Sequence, residues 1–286
     1  MKVALLGTGL MGYPMAVRLL KAGHVVTVFN RHYEKAHSLK HFGATVVRHV
    51  EQAVGQADCV VLTLSDAKAI QDVLFSKKKI VLAAKTVIQM GTISPKESVE
   101  LCKKVIKADG EYFECPVLGS RKEAKAGVLI LMVGSTHKQF EQWEGFLKCF
   151  GLHPRWIGVV GKAAALKLAL NQLIAALNSA FALSLSFVQK QGVKVEDFME
   201  ILRHSVLYAP TFDKKLLTML HHQYARPNFS TKNMLKDVEL FLKESRLHRL
   251  STEALQGIEK VLIKAVKKGL QDDDYCSLFE IISAKK

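Results

Sequence analysis

A short apolar run, Val3-Ala4-Leu5-Leu6, breaks at glycine and passes through Gly7-Thr8-Gly9-Leu10-Met11-Gly12 into a helix-period segment ending at Lys21. Three glycines at this spacing suit a strand-to-helix turn. The first lets the chain reverse, the second lets the backbone approach a bulky anion, and the third lets helix pack closely on strand. The unpaired N–H groups that open the helix, at the positive end of its dipole, favour a pyrophosphate. A second β-branched run, Val25–Phe29, follows and completes a strand-helix-strand unit. In that context the motif predicts dinucleotide binding through Gly7, Gly9, Leu10, Met11 and Gly12.

The end of the second run distinguishes the two common dinucleotides. A site that prefers NAD usually places Asp or Glu there to accept the ribose 2′-hydroxyl. This chain has Asn30-Arg31 instead, with Lys35 one helical turn further on. No carboxylate repels a 2′-phosphate, and Arg31 offers it charge-assisted hydrogen bonds. The expected cofactor is NADP(H).

Strand candidates continue at 45–47, 59–64, 86–89, 112–114 and 129–133, separated by helical patterns, as in a parallel sheet with crossover helices. Ser94-Pro95-Lys96-Glu97 reads as an N-cap, a first-turn proline and a first-turn acid. After Gly158 and Gly161 the alternation stops, and helical stretches run at 163–190, 195–204, 212–223, 234–244 and 253–268. With 286 residues, 49% of them hydrophobic and only 6 Pro, the chain has material for two folded domains and is not disordered. The boundaries expected are 1–162 and 163–286. The helix that opens the second half would be roughly 40 Å long, enough to join the domains, with a cleft at its first turns.

From Leu168 to Val188 that helix carries no charge, which calls for a membrane test. Its Asn171, Gln172, Asn178, Ser179, Ser184 and Ser186 favour a helix buried on all sides in soluble protein, with one face in its own domain and another expected against a partner subunit. The N-terminus enters a strand at once, so no signal peptide is expected. Cys59, Cys102, Cys115, Cys149 and Cys276 form no CxxC pair, which argues against disulfides and structural metal and for a reducing, cytoplasmic setting. His37 and His41 lie four apart without a third ligand and read as a surface helix; no metal is expected. The formal net charge of +15 is scattered, with short runs only at Lys77-Lys78-Lys79 and Lys267-Lys268. That pattern reads as solvated surface, and neither nucleic acid nor membrane is an expected partner.

Lys167 and Asn171 sit four apart in the helix after Gly161, hence on one face of an otherwise apolar segment. A lysine there can protonate a carbonyl oxygen as hydride arrives, while Asn171 orients the substrate. The alternative is a lysine that only snorkels at a helix end.

These segments together resemble the β-hydroxyacid dehydrogenase family, which includes 3-hydroxyisobutyrate dehydrogenases and glyoxylate and succinic semialdehyde reductases. Four ordered motifs carry the resemblance over almost the whole chain. They are GTGLMGYPMAVRLLKAGHVVTVFNR at the N-terminus, Glu114-Cys115-Pro116-Val117-Leu118-Gly119-Ser120 followed by Ala126-Gly127, the segment Gly161 to Asn171, and Phe229 with Lys232 and Lys236-Asp237. The resemblance implies an α/β Rossmann domain followed by an all-α C-terminal domain. It makes Lys167 the catalytic acid/base, Asn171 its neighbour in substrate binding, and Leu118, Gly119 and Ser120 the substrate loop. It places Thr92 near the nicotinamide ribose and Lys236 and Asp237 over the cofactor, and it implies a homodimer or homotetramer.

Three positions depart from the family pattern. Leu118 replaces a serine that bonds the substrate carboxylate, Gly91 replaces a serine before Thr92, and Leu183 stands where an acid is common. The expected activity is NADPH-dependent hydride transfer to a small aldehyde acid or related carbonyl. The alternatives are an imine or larger non-acidic carbonyl reductase, which Leu118 favours, and a non-catalytic cofactor-binding scaffold with a basic surface. A chromatin-associated branch of the family lacks the lysine, and retention of Lys167 speaks against the scaffold.

Overall fold

The structure is a computed structural model that describes residues 1–75 and 80–283, so the Lys77-Lys78-Lys79 run lies outside the described residues. The chain divides into two compact units, Met1–Lys167 and Leu168–Lys286.

The strands of the N-terminal unit are β1 (Lys2–Leu6), β2 (Val25–Phe29), β3 (Thr45–Val47), β4 (Cys59–Leu62), β5 (Thr86–Gln89), β6 (Glu111–Glu114), β7 (Val117–Leu118), β8 (Ile130–Gly134) and β9 (Arg155–Gly158). They form one sheet in the order β3-β2-β1-β4-β5-β6-β8-β7, with β9 beside β8. From β3 to β6 every pairing is parallel, and β8 runs antiparallel to β6 and β7. The order reverses at β1, so the carboxyl ends of β1 and β4 open the crevice where ligands bind in such sheets. Strands β7 and β9 are additions to the sequence expectation: one has two residues, and the other contains a glycine.

The helices of this unit are α1 (Gly12–Lys21), α2 (Glu34–His37), α3 (Val50–Gly55), α4 (Ala67–Leu74), α5 (Pro95–Lys107), α6 (Arg121–Ala126) and α7 (His137–Leu147), and α8 (Lys162–Lys190) begins in it. Alternate strand residues face opposite sides. Val3 and Leu5 pack with Met15, Ala16 and Leu19 on one face, while Ala4 and Leu6 pack with Val50, Ala53 and Val54 on the other. Asp66, Ser94, Ser120 and Thr136 cap α4, α5, α6 and α7 through their side chains, whereas α1 opens at Met11 with no side-chain cap.

The C-terminal unit holds the rest of α8 with α9 (Val195–Arg203), α10 (Pro210–Leu220), α11 (Thr231–Leu247), α12 (Glu253–Lys267) and α13 (Phe279–Ile282). Its core joins Ala175, Phe181 and Leu185 of α8 to Met199, Phe212, Val238, Leu242, Leu262 and Phe279. A buried ion pair, Lys215 Nζ to Asp274 Oδ1 at 2.7 Å, ties α10 to the segment before α13.

The uncharged helix is covered by its own unit on one face. Among the described residues, α8 is one helix long and apolar enough to cross a membrane by length and composition. Its unit covers one face only, and Leu173, Leu177, Leu183 and Phe187 are exposed on the remainder.

Candidate active site

Each glycine of the N-terminal loop has its own reason to be glycine. Gly7 adopts φ +102°, and a Cβ there would lie 2.8 Å from the Thr63 carbonyl oxygen. A Cβ on Gly12 would lie 2.0 Å from the Gly7 oxygen and 2.4 Å from Thr63 Oγ1, so α1 could not seat against β1 and β4. Gly9 meets nothing within 4 Å. Its missing side chain clears space outside the protein, where Leu10 and Met11 are also partly exposed. Thr8 Oγ1 is buried with no hydrogen-bond partner among the described residues. No acid sits in the first turn of α1, and its opening donors have no side-chain acceptor. Together these are the features of an anion cradle.

Asn30 locks the cradle to the end of β2. Its Oδ1 accepts from the Thr8 N–H at 3.2 Å, and its Nδ2 donates to the His32 carbonyl at 2.8 Å. Arg31 and Lys35 follow as exposed cations. Sequence reasoning missed a third: Arg48 follows β3, whose Val47 pairs with Phe29, and its guanidinium lies 4.1 Å from the Tyr33 ring centroid. Lys40 Nζ approaches the same ring at 5.7 Å. The signal available was charge balance, since Glu34 is the single carboxylate from Asn30 to Val50.

Beyond β5, Gly91 is fixed by the buried Gln89 side chain. Its N–H donates to Gln89 Oε1, and its carbonyl accepts from Nε2 at 3.1 Å. A Cβ at 91 would lie 2.6 Å from the Leu64 carbonyl oxygen. This accounts for the departure there, because the backbone leaves no room for a serine. Thr92 follows, partly buried.

Leu118 ends β7 opposite Ile130 and is partly exposed. Gly119 takes φ +143°, where a Cβ would lie 2.7 Å from Leu129 Cδ2. Ser120 caps α6. Its hydroxyl donates to Glu123 Oε2 and accepts from the Lys122 N–H at 3.2 Å, and its own N–H donates to Glu123 Oε2 at 2.8 Å. That hydroxyl is committed within the protein.

At the start of α8 the structure adds a residue to which the sequence assigned no role. Glu114 is buried, and its Oε1 accepts from the N–H groups of Gly161 at 2.9 Å and Ala164 at 3.0 Å. Its Oε2 accepts from the Ser98 hydroxyl, which also bonds Tyr112 Oη at 2.8 Å. Burial pushes the Glu114 carboxyl above its ordinary range, against the opposing pull of these donors. Lys167, also buried, comes three residues after Ala164.

In the C-terminal unit the Asn171 amide donates from Nδ2 to Asp237 Oδ2, while Lys236 Nζ lies 2.8 Å from Asp237 Oδ1. Because a carboxylate only accepts, this contact fixes the amide's orientation. Asn171 Oδ1 remains buried and unpartnered among the described residues, an acceptor open to a hydroxyl or ammonium.

Among the described residues no group of three or more His, Cys, Asp or Glu could hold a metal ion. Cys115 is buried, and burial followed by the Glu114 charge pushes its thiol up, as befits a packing residue.

Residues 2–202 match the family described as the NAD binding domain of 6-phosphogluconate dehydrogenase. Residues 161–282 match the family described as the NAD-binding of NADP-dependent 3-hydroxyisobutyrate dehydrogenase. Glyoxylate/succinic semialdehyde reductase 1 of Arabidopsis thaliana is 29% identical over 285 residues, covering 99% of this chain and 98% of that protein. The human cytokine-like nuclear factor N-PAC is 25% identical over 281 residues, 97% of this chain and 51% of N-PAC. The solved structure of Mycobacterium tuberculosis 3-hydroxyisobutyrate dehydrogenase with L-serine superimposes with a TM-score of 0.85 at 23% identity, covering 99% of both chains.

Proposed function

The chain belongs to the β-hydroxyacid dehydrogenase family of NAD(P)-dependent dehydrogenases and reductases, and from that premise we propose that it is an NADPH-dependent reductase of small carbonyl compounds. The observation that carries the reading is the cradle of Gly9 over an uncapped α1, flanked by Arg31, Lys35 and Arg48 with one carboxylate in the segment. These residues fit a dinucleotide that carries a 2′-phosphate. Gly7, Gly9, Leu10, Met11 and Gly12 hold its pyrophosphate, Asn30 braces the loop, and Arg31 and Lys35 meet the 2′-phosphate. Thr92 lies at the carboxyl end of β5, on the side where such sheets bind the rest of the cofactor.

When bound, the nicotinamide supplies the hydride for the carbonyl carbon. Lys167 gives its proton to the carbonyl oxygen, so that the carbonyl becomes an alcohol. Asn171 Oδ1 accepts from the hydroxyl formed, and Asp237 and Lys236 hold the Asn171 amide in that orientation. Leu118 and Gly119 shape the substrate loop and Ser120 anchors it to α6. The isobutyl group of Leu118 and the committed Ser120 hydroxyl favour longer or less acidic carbonyls, and related imines, over glyoxylate.

The exposed apolar face of α8, with Leu173, Leu177, Leu183 and Phe187, fits a second copy of the chain. Light scattering after size exclusion should give a dimer or larger; a monomer at micromolar concentration would refute that assembly.

The activity is tested by following NADPH oxidation across a panel running from glyoxylate through succinic semialdehyde to longer ketones and cyclic imines. Turnover on at least one carbonyl is expected. No oxidation on any member, together with salt-sensitive retention on DNA, would turn the assignment toward a scaffold.

A further inference from the structure

The three residues before the helix that carries Lys167, Val159-Val160-Gly161, bring no side-chain oxygen to its first N–H groups. Glu114, far away in sequence at the end of β6, takes the position instead and accepts the N–H groups of Gly161 and Ala164. The surroundings are built around that carboxylate. A Cβ on Gly134 would lie 2.4 Å from Glu114 Oε1, so the neighbouring strand leaves the space empty. Gly161 turns with φ +99° to present its N–H. Ser98, itself bonded to Tyr112, donates to the second oxygen.

A purely steric plug would not need a charge there, and burial opposes one. An ammonium one turn further along the helix gains from it, because a carboxylate at the helix start is an opposite charge close by in a poorly screened interior. Lys167 is the sixth residue of α8, three residues after the Ala164 N–H that Glu114 holds. We propose that Glu114 is a positioning residue for the reaction: its buried carboxylate fixes the first turn of α8 and supplies an opposite charge at its start, so that Lys167 is held in place as an ammonium. The proposal rests on the reading of Lys167 as the acid. The titratable groups around Glu114 are Tyr112 of β6, Cys102 of α5 and Cys115, all neutral near pH 7 and all pushed up in part by its charge. The cations of the early helix are Lys162 and Lys167.

Glu114→Gln keeps an oxygen for the two N–H groups and removes the charge. The test is the pH profile of kcat/KM for Glu114→Gln, Lys167→Ala and the wild type, with NADPH affinity measured alongside. An acid must be protonated to act, so the alkaline limb reports the ammonium. Losing a nearby negative charge should move that limb to lower pH by roughly 0.5 to 1 unit while NADPH affinity holds. Glu114→Asn, a second neutral replacement, should move it the same way, and it serves if Glu114→Gln does not fold. An alkaline limb unmoved in the folded variants overturns the role of Glu114. Lys167→Ala with turnover and limb intact overturns the reading of Lys167 instead, and the two failures are distinct.

Discussion

Both units bury a carboxylate deeply, and they satisfy it by different means. In the N-terminal unit Glu114 is held by two backbone N–H groups and a serine hydroxyl. In the C-terminal unit Asp274 is held by the Lys215 ammonium at 2.7 Å, with backbone N–H groups of Asn228 at 3.0 Å and Cys276 at 3.2 Å. Asp237 repeats the second pattern, with Asn171 and Lys236 as side-chain partners. Backbone donors survive side-chain substitutions other than proline, whereas a side-chain partner can be removed at one stroke. The N-terminal arrangement therefore offsets its carboxylate with neutral donors, and the C-terminal one depends on particular cations or amides. The two kinds of grip act at the start of α8 and about two turns on, at Gly161 and Ala164 by Glu114 and at Asn171 by Asp237, with Lys167 between them in sequence.

The largest effect expected is functional. Lys167→Ala should lower kcat by roughly 10²- to 10⁴-fold, the usual range for a lost general acid, with melting temperature and NADPH affinity near wild type. A variant that keeps its kcat on a good substrate would show that the groups around the start of α8 serve structure alone.

Next comes stability in the C-terminal unit. Lys215→Met keeps most of the side-chain stem and leaves Asp274 buried without its cation, which should cost about 3 to 5 kcal/mol. Denaturant unfolding measures it, and kcat per folded molecule should not change. A loss under about 1 kcal/mol would mean that the two backbone N–H groups suffice, which would erase the contrast with Glu114.

The same contrast separates what the sequence made legible from what it hid. The β1-α1-β2 unit, the parallel strands and the Ser94 capping box were readable because glycines, alternation and caps act over a few residues; the observed ends differ by one or two positions for most elements. The strand expected through Leu64 stops at Leu62, since Thr63 turns its hydroxyl to the Gly7 carbonyl at 2.6 Å. The Glu114 cap spans 47 to 50 residues and the Lys215–Asp274 pair 59, and no local pattern encodes such distances. Which residues of α8 form its exposed stripe was not legible, because its polar residues are scattered among apolar ones and mark no single face.

The cofactor edge of the N-terminal unit should respond less than Lys167. Arg31→Ala removes one charge-assisted contact, worth about 1.5 to 3 kcal/mol, so NADPH should bind roughly 10- to 150-fold more weakly while NADH is spared. Arg48 and Lys35 set the remainder, and the double variant Arg31→Ala, Arg48→Ala should bring the two dinucleotides close to equal. Fluorescence titration gives both constants; a wild type that binds NADPH and NADH equally would refute the 2′-phosphate assignment.

The smallest effect belongs to Leu118, where side chain and backbone again divide the work. Gly119 and the capping box of Ser120 hold the loop's shape whatever stands at 118, so the substitution Leu118→Ser should leave the fold intact. Because the Ser120 hydroxyl already donates to Glu123, the loop has no spare hydroxyl near that point, and a serine at 118 would supply one. Such a bond to a substrate carboxylate has an upper value near 3 kcal/mol, but the new side chain must also give up rotamer freedom, so a net gain of about 1 to 1.5 kcal/mol is expected. That corresponds to roughly 5- to 10-fold in kcat/KM for a glyoxylate-sized acid. Longer carbonyls should lose a similar factor, because the isobutyl wall they would pack against is gone. The ratio of kcat/KM between glyoxylate and a longer ketone should therefore rise by about 25-fold or more. A ratio that stays fixed would show that position 118 does not read the substrate, and specificity would then have to be sought at Asn171.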